Sequence, residues 1–168
     1  GQFEDVGGAR LAAELRAESA DHLEHVTDED VRAMAQAGVT GVLLPGAAFS
    51  LGQPQPDARR LRALGLSVAL ATDCNPGTSH TESLPLMAAF GVRQMGLSTV
   101  EAWFALTRVA ARALGREDLG RLARGCRADI AVRTLPSWEA LPYDFGSPRC
   151  EMTWRASVPL HHAPHIPS

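Results

Sequence analysis

Apolar residues recur along this chain in two patterns. The first repeats every three or four residues and marks helices. Leu11, Ala12 and Leu15 share a face of a helix predicted over Gly8–Glu18. Thr27, with Asp30 three residues on, reads as a capping pair opening a helix over Asp28–Ala37 that stops at Gly38. Further helices are predicted over Asp57–Leu64, closed by Gly65, and Glu82–Val92. Ser98 and Glu101 open another, with Trp103, Leu106, Ala110 and Ala113 as its buried face and Gly115 as its end. The second pattern is continuous. Val39–Pro45 and Leu66–Thr72 are apolar runs without alternation, as in strands buried on both faces. Ser19–His22 is a shorter strand-like piece, and Ala47–Pro56, rich in Gly and Pro, reads as a loop.

Strands alternating with helices predict an α/β fold with parallel pairing. About three such units cannot close an eight-stranded barrel, which takes ~250 residues. After Gly115 the character changes. Leu119–Val132 reads as strand, turn and strand, and strand-like pieces continue through Glu151–Arg155. The end, Pro159–Ser168, carries His161, His162 and His165 among three prolines. It is read as a disordered tail rather than a metal-binding cluster.

At 168 residues, 45% hydrophobic and 21% charged, the chain has enough apolar material for one domain with a core. A net charge of −3 gives no case for nucleic acid or an anionic membrane. No apolar run approaches the ~20 residues of a membrane helix, and no signal peptide is visible. Three cysteines at irregular spacing form neither a zinc ribbon nor a disulfide framework. The expectation is a reduced, cytoplasmic setting. Cys74 has no histidine partner implied by spacing and is read as a small packing residue. The chain begins at Gly1 without a methionine, compatible with processing, a tag scar or a piece of something longer.

Two polar residues stand at predicted strand ends, where parallel α/β folds gather functional side chains. Asp73 follows the Leu66–Thr72 run, and Asn75-Pro76-Gly77 makes a tight turn after it. His22 ends the Ser19–His22 piece. Each has a plainer reading, Asp73 as a turn cap and His22 as a structural histidine. Together, on neighbouring strands, they would point into one mouth.

The stretches SADHLE (Ser19–Glu24), LLPGA (Leu43–Ala47) and TDCNPGTS (Thr72–Ser79) together resemble the imidazolonepropionases, metal-dependent amidohydrolases of histidine degradation. The pattern from Gly120 to Ile130 marks only the broader superfamily. The resemblance covers about Gly1 to Arg155 and implies a carboxyl-terminal part. It would hold strands six to eight of a TIM-like (β/α)₈ barrel over 1–115, part of a small β-sandwich domain over 116–158 and a tail over 159–168. The early H-x-H metal motif is absent, and Gly1-Gln2 match the last positions of an H-A-x-[QE] motif. Carried over, Asp73 is a metal ligand and takes a proton from water, and His22 polarises or positions the ring. Gln2, Asn75, Gly77 and Thr78 contact substrate.

The activity implied is hydrolysis of 4-imidazolone-5-propanoate, a small molecule, to N-formimino-L-glutamate. It would use one zinc or iron ion per site, which lowers the pKa of water towards ~7, in an enzyme expected to be a homodimer at full length. Backbone N–H groups of the turn are expected to face the propionate. With one of four ligands present, the isolated chain is expected to be inactive. Two other readings stay open: another cyclic amidohydrolase or deaminase, and a non-catalytic scaffold or binding domain.

Overall fold

A computed structural model describes residues 1–146 and 150–162. Its first part alternates short helices and parallel strands: α1 (Gly8–Glu14), β1 (Ser19–Asp21), α2 (Asp28–Ala37), β2 (Thr40–Leu43), α3 (Pro45–Ser50), α4 (Ala58–Ala63), β3 (Ser67–Leu70), α5 (Leu84–Arg93), α6 (Thr99–Leu106) and α7 (Arg108–Ala113). The second part holds β4 (Ile130–Arg133), a 3₁₀ turn at Trp138–Ala140, β5 (Cys150–Arg155) and β6 (Val158–His162). The α/β class and the parallel pairing expected from the sequence are therefore present. The sheets run β1-β2-β3, all parallel, and β4-β5-β6, antiparallel.

The continuous apolar runs follow from cover on both faces of the parallel sheet, as its side-chain alternation shows. Leu43, Val68 and Leu70 point into a core with Val31 and Met34 of α2, Leu61 of α4 and Met87 of α5. Val42, Leu44 and Ala69 point the other way, where Val109, Ala110 and Ala113 cover them. Each fully buried Leu or Met contributes roughly 1.5–3 kcal/mol.

Several local expectations are corrected. The first half of Ala47–Pro56 is helical, because α3 starts on Pro45, whose fixed φ suits a first helical position. Burial of Pro45, Gly46, Ala47 and Ala48 outweighs the loop-like composition. On α1, Ala9 and Ala13 face the core while Leu11 and Leu15 are exposed; small residues let α1 lie close to α2. The long helix from Ser98 breaks at Thr107 (φ −124°, ψ −87°). There Gly120 (φ +74°) packs so closely that a Cβ would sit 2.5 Å from the Thr107 carbonyl oxygen. The deepest residues of this pair of helices are Ala102, Ala105 and Ala111; Trp103, Leu106, Ala110 and Ala113 are half-buried.

Only β4 forms within Leu119–Val132. The residues before it are held by turn contacts, including Arg127 N–H donating to the Asp118 carbonyl at 2.9 Å. The tail is not disordered from Pro159, since β6 pairs with β5 to His162; residues 163–168, with His165, lie outside the described residues. Cys74 is exposed rather than packed. Among the described residues, no helix is long and apolar enough to cross a membrane.

Candidate active site

Parallel register places the two candidate residues. Asp21 lies opposite Val42, and Val42 opposite Ala69. The His22 N–H donates to the Val42 carbonyl (2.9 Å) and the Ala71 N–H to that of Leu43 (3.1 Å). All three strands leave the sheet at the same end, with His22 and Asp73 on either side of β2. Two strand steps of ~4.8 Å separate β1 from β3 in the sheet.

Both residues are left-handed, His22 at φ 74° and Asp73 at 49°, and so is Leu23 at 71°. Such conformations cost on the order of 1–3 kcal/mol at non-glycine residues and cluster at functional sites. Burial of Leu23, 3% exposed, anchors the first turn. The second is fixed by Asn75. Its Oδ1 accepts from the Gly77 and Thr78 N–H groups, both at 2.8 Å, and its Nδ2 donates to the Asp73 carbonyl at 2.6 Å. Asn75 N–H donates to the Ser79 carbonyl (3.0 Å). The Gly77 and Thr78 N–H groups are thus used inside the turn, not turned outward as expected. Ser79, 2% exposed, donates its hydroxyl to the Thr72 carbonyl. Gly46 at the start of α3 lies against it, so close that a Cβ there would be 2.5 Å from Ser79 Oγ.

Gln2 joins the same end. Gly1 and His25 exchange backbone hydrogen bonds at 2.9 and 3.0 Å, which lays the first residues along the segment after β1. The sequence reading missed Glu24. Its side chain is 4% exposed, and its Oε1 lies 3.5 Å from His22 Nδ1. Its place in SADHLE, two residues after the histidine, did not by itself show that it folds back onto the ring.

Among the described residues, no group of three or more His, Cys, Asp or Glu side chains is placed to hold a metal ion. Nor does any side chain among them donate to the carboxylate of Asp73, a half-buried residue. The described residues alone therefore do not assemble a metal centre. The larger concavities lie elsewhere. One of about 760 Å³ opens at the other end of β3, lined by Gly65, Ser67 and several arginines. A second, about 570 Å³, lies between α5, α6 and β4. His22 and Asp73 line neither; they stand at an open sheet end.

The model of the Amidohydrolase family matches residues 2–161. The chain belongs to the amidohydrolase family. It is 49% identical over 151 residues to an imidazolonepropionase of Streptomyces coelicolor, covering 90% of this chain and 39% of that protein. An imidazolonepropionase of Geobacillus kaustophilus is 49% identical over 146 residues, covering 86% of this chain and 34% of that protein. The chain thus spans little more than a third of these relatives. Solved amidohydrolase-type structures share its fold. A triazine hydrolase variant superposes with a TM-score of 0.80 at 22% identity, covering 91% of this chain and 38% of that one. An adenosine deaminase from Xanthomonas campestris with bound zinc gives 0.73 at 23%, covering 90% and 39%.

Proposed function

We propose that this chain is the carboxyl-terminal part of an imidazolonepropionase, supplying strands six to eight of the barrel, residues 116–158 of a second, β-rich domain and part of the catalytic site. The observation that carries the reading is near-half identity to imidazolonepropionases over about 90% of the chain, with His22 and Asp73 brought to one end of one sheet. In the whole protein, proposed as a cytoplasmic homodimer, the substrate is 4-imidazolone-5-propanoate and the product N-formimino-L-glutamate.

Asp73 is the proposed ligand on this chain for one zinc or iron ion, whose other ligands belong to the rest of the protein. When bound, such an ion polarises a carbonyl and acidifies water.

The roles of this chain's residues follow from their chemistry. Water adds to the ring carbonyl, the adjacent carbon–nitrogen bond breaks, and the departing nitrogen gains a proton. The Asp73 carboxylate, with no side-chain donor among the described residues, is suited to accept the water's proton. His22 is suited to stabilise the developing charge on the carbonyl oxygen. Gln2 stands beside the loop after β1 and would contact the ring. Gly77 and Thr78 N–H groups shape the turn, so the propionate falls to the Thr78 hydroxyl, whose bond to Asn75 Oδ1 is long at 3.4 Å.

Asp73→Asn in the whole protein tests this. Asn serves a turn nearly as well as Asp, so a mere cap would leave activity intact. Loss of a general base lowers the rate by ~10²–10⁴-fold, with a thermal midpoint close to wild type at matched metal content. Near-normal turnover overturns the assignment.

A further inference from the structure

Beside half-buried His22, the buried Glu24 side chain is left unexplained by the roles above. His22 Nδ1 and both Glu24 oxygens are buried without a hydrogen-bond partner among the described residues. A carboxylate 4% exposed and unpartnered is costly, because burial removes its hydration with nothing in exchange. Left-handed His22 and Leu23 turn the chain so that the Glu24 carboxylate comes back to within 3.5 Å of the His22 ring. The backbone strain at these two residues and the burial of the carboxylate act on the same contact. A small closure of that gap makes a charge-assisted hydrogen bond.

We propose that Glu24 is a positioning residue for His22. Its carboxylate accepts the Nδ1 proton and fixes the ring's orientation and tautomer. Nε2, the other ring nitrogen, is then free to face substrate. With Nδ1 held in this way, a proton on Nε2 makes that nitrogen a donor for an oxyanion. Glu24 touches neither substrate nor reacting atoms and works only through His22. The inference rests on the proposed imidazolonepropionase activity for its kinetic consequence, but not for its structural one.

The test uses the whole protein carrying Glu24→Gln, Glu24→Asp or Glu24→Ala, with His22→Ala as the control that identifies the His22 signals. Nitrogen-15 NMR of labelled histidine reads the protonation of Nδ1 and Nε2 directly. Wild type is expected to show a protonated, hydrogen-bonded Nδ1, and Glu24→Ala to lose it. Steady-state kinetics are expected to show kcat lowered about tenfold or more in Glu24→Ala, KM within about twofold, and a smaller loss in Glu24→Gln. Glu24→Asp, which keeps the charge, is expected to restore part of kcat. An unchanged His22 spectrum in Glu24→Ala overturns the proposal. So does a loss of kcat that tracks a lowered thermal midpoint and is not eased by Asp. If the whole protein turns over no imidazolone substrate, the functional reading fails, and the spectrum still decides the role of Glu24.

Discussion

Asn75 shows how one side chain holds a catalytic candidate in place. Its amide joins the Asp73 carbonyl, the Gly77 and Thr78 N–H groups and the Thr78 hydroxyl. Asn75→Ala removes all of these bonds. Each hydrogen bond contributes ~0.5–1.5 kcal/mol net, so a loss of about 2 kcal/mol or more is expected, read from the denaturant midpoint of the whole protein. Activity should fall with it, since Asp73 loses its aim. Asn75→Asp keeps the bonds accepted by Oδ1 and should lie between. Equal stability of all three would mean the turn is held from elsewhere. Of these residues, His22, Asp73 and the turn were legible because a polar residue at the end of an apolar run is visible in one dimension. Glu24 was not: its burial depends on two consecutive left-handed residues, and local spacing does not announce them. The outward use of the turn's N–H groups was likewise misread, because the sequence does not show which acceptor claims them.

Among the elements, α1 is clasped to α2 by charge. Arg10 donates from Nε to Asp30 at 2.7 Å and from its terminal nitrogen to Glu29 at 2.8 Å. The Arg10 bond, with a smaller contribution from neighbouring Thr27, holds the Asp30 carboxyl below its ordinary range against the opposing effect of burial. A carboxyl whose pKa is lower folded than unfolded stabilises the fold above its unfolded value of ~3.9. That contribution is lost as pH falls through the folded value. Thermal midpoints measured between pH 2 and 6 should therefore drop on the acid side, and Arg10→Gln should flatten the drop while lowering the plateau near pH 6. An acid limb of identical steepness in both proteins would show that other carboxyls set it.

Helix starts at Thr27 and Ser98 were readable because capping chemistry is local. At Ser98 the full reciprocal box forms with Glu101, whereas Asp30 turns its carboxylate to Arg10 instead. The break at Thr107 and the helix at Pro45 were not readable. Each is decided by a distant segment, Gly120 in one case and the core under α3 in the other.

At the scale of the whole molecule, the parallel sheet has two open sides. β1 and β3 are its outer strands, and each presents unpaired backbone groups to whatever lies beside it. The 168-residue chain made alone is expected to self-associate or to be poorly soluble, and to give no turnover of imidazolonepropionate above a metal-only control. Light scattering after size exclusion, with an activity assay on the same fractions, checks both. A monomer with a cooperative melt and measurable turnover contradicts the reading of the chain as a part.

The contact of Gly46 with Ser79 has a genetic consequence. Every missense change of a glycine codon brings in a Cβ, and at Gly46 that atom would push on Ser79 Oγ and come within 3.5 Å of the Thr72 carbonyl. The displacement falls on the residues just before and after the Asp73 turn. An unbiased screen of random variants for loss of function should therefore recover Gly46 alongside Asp73. A geneticist seeing only the hits would map a glycine on another strand's exit, remote from the chemistry, as though it belonged to the centre.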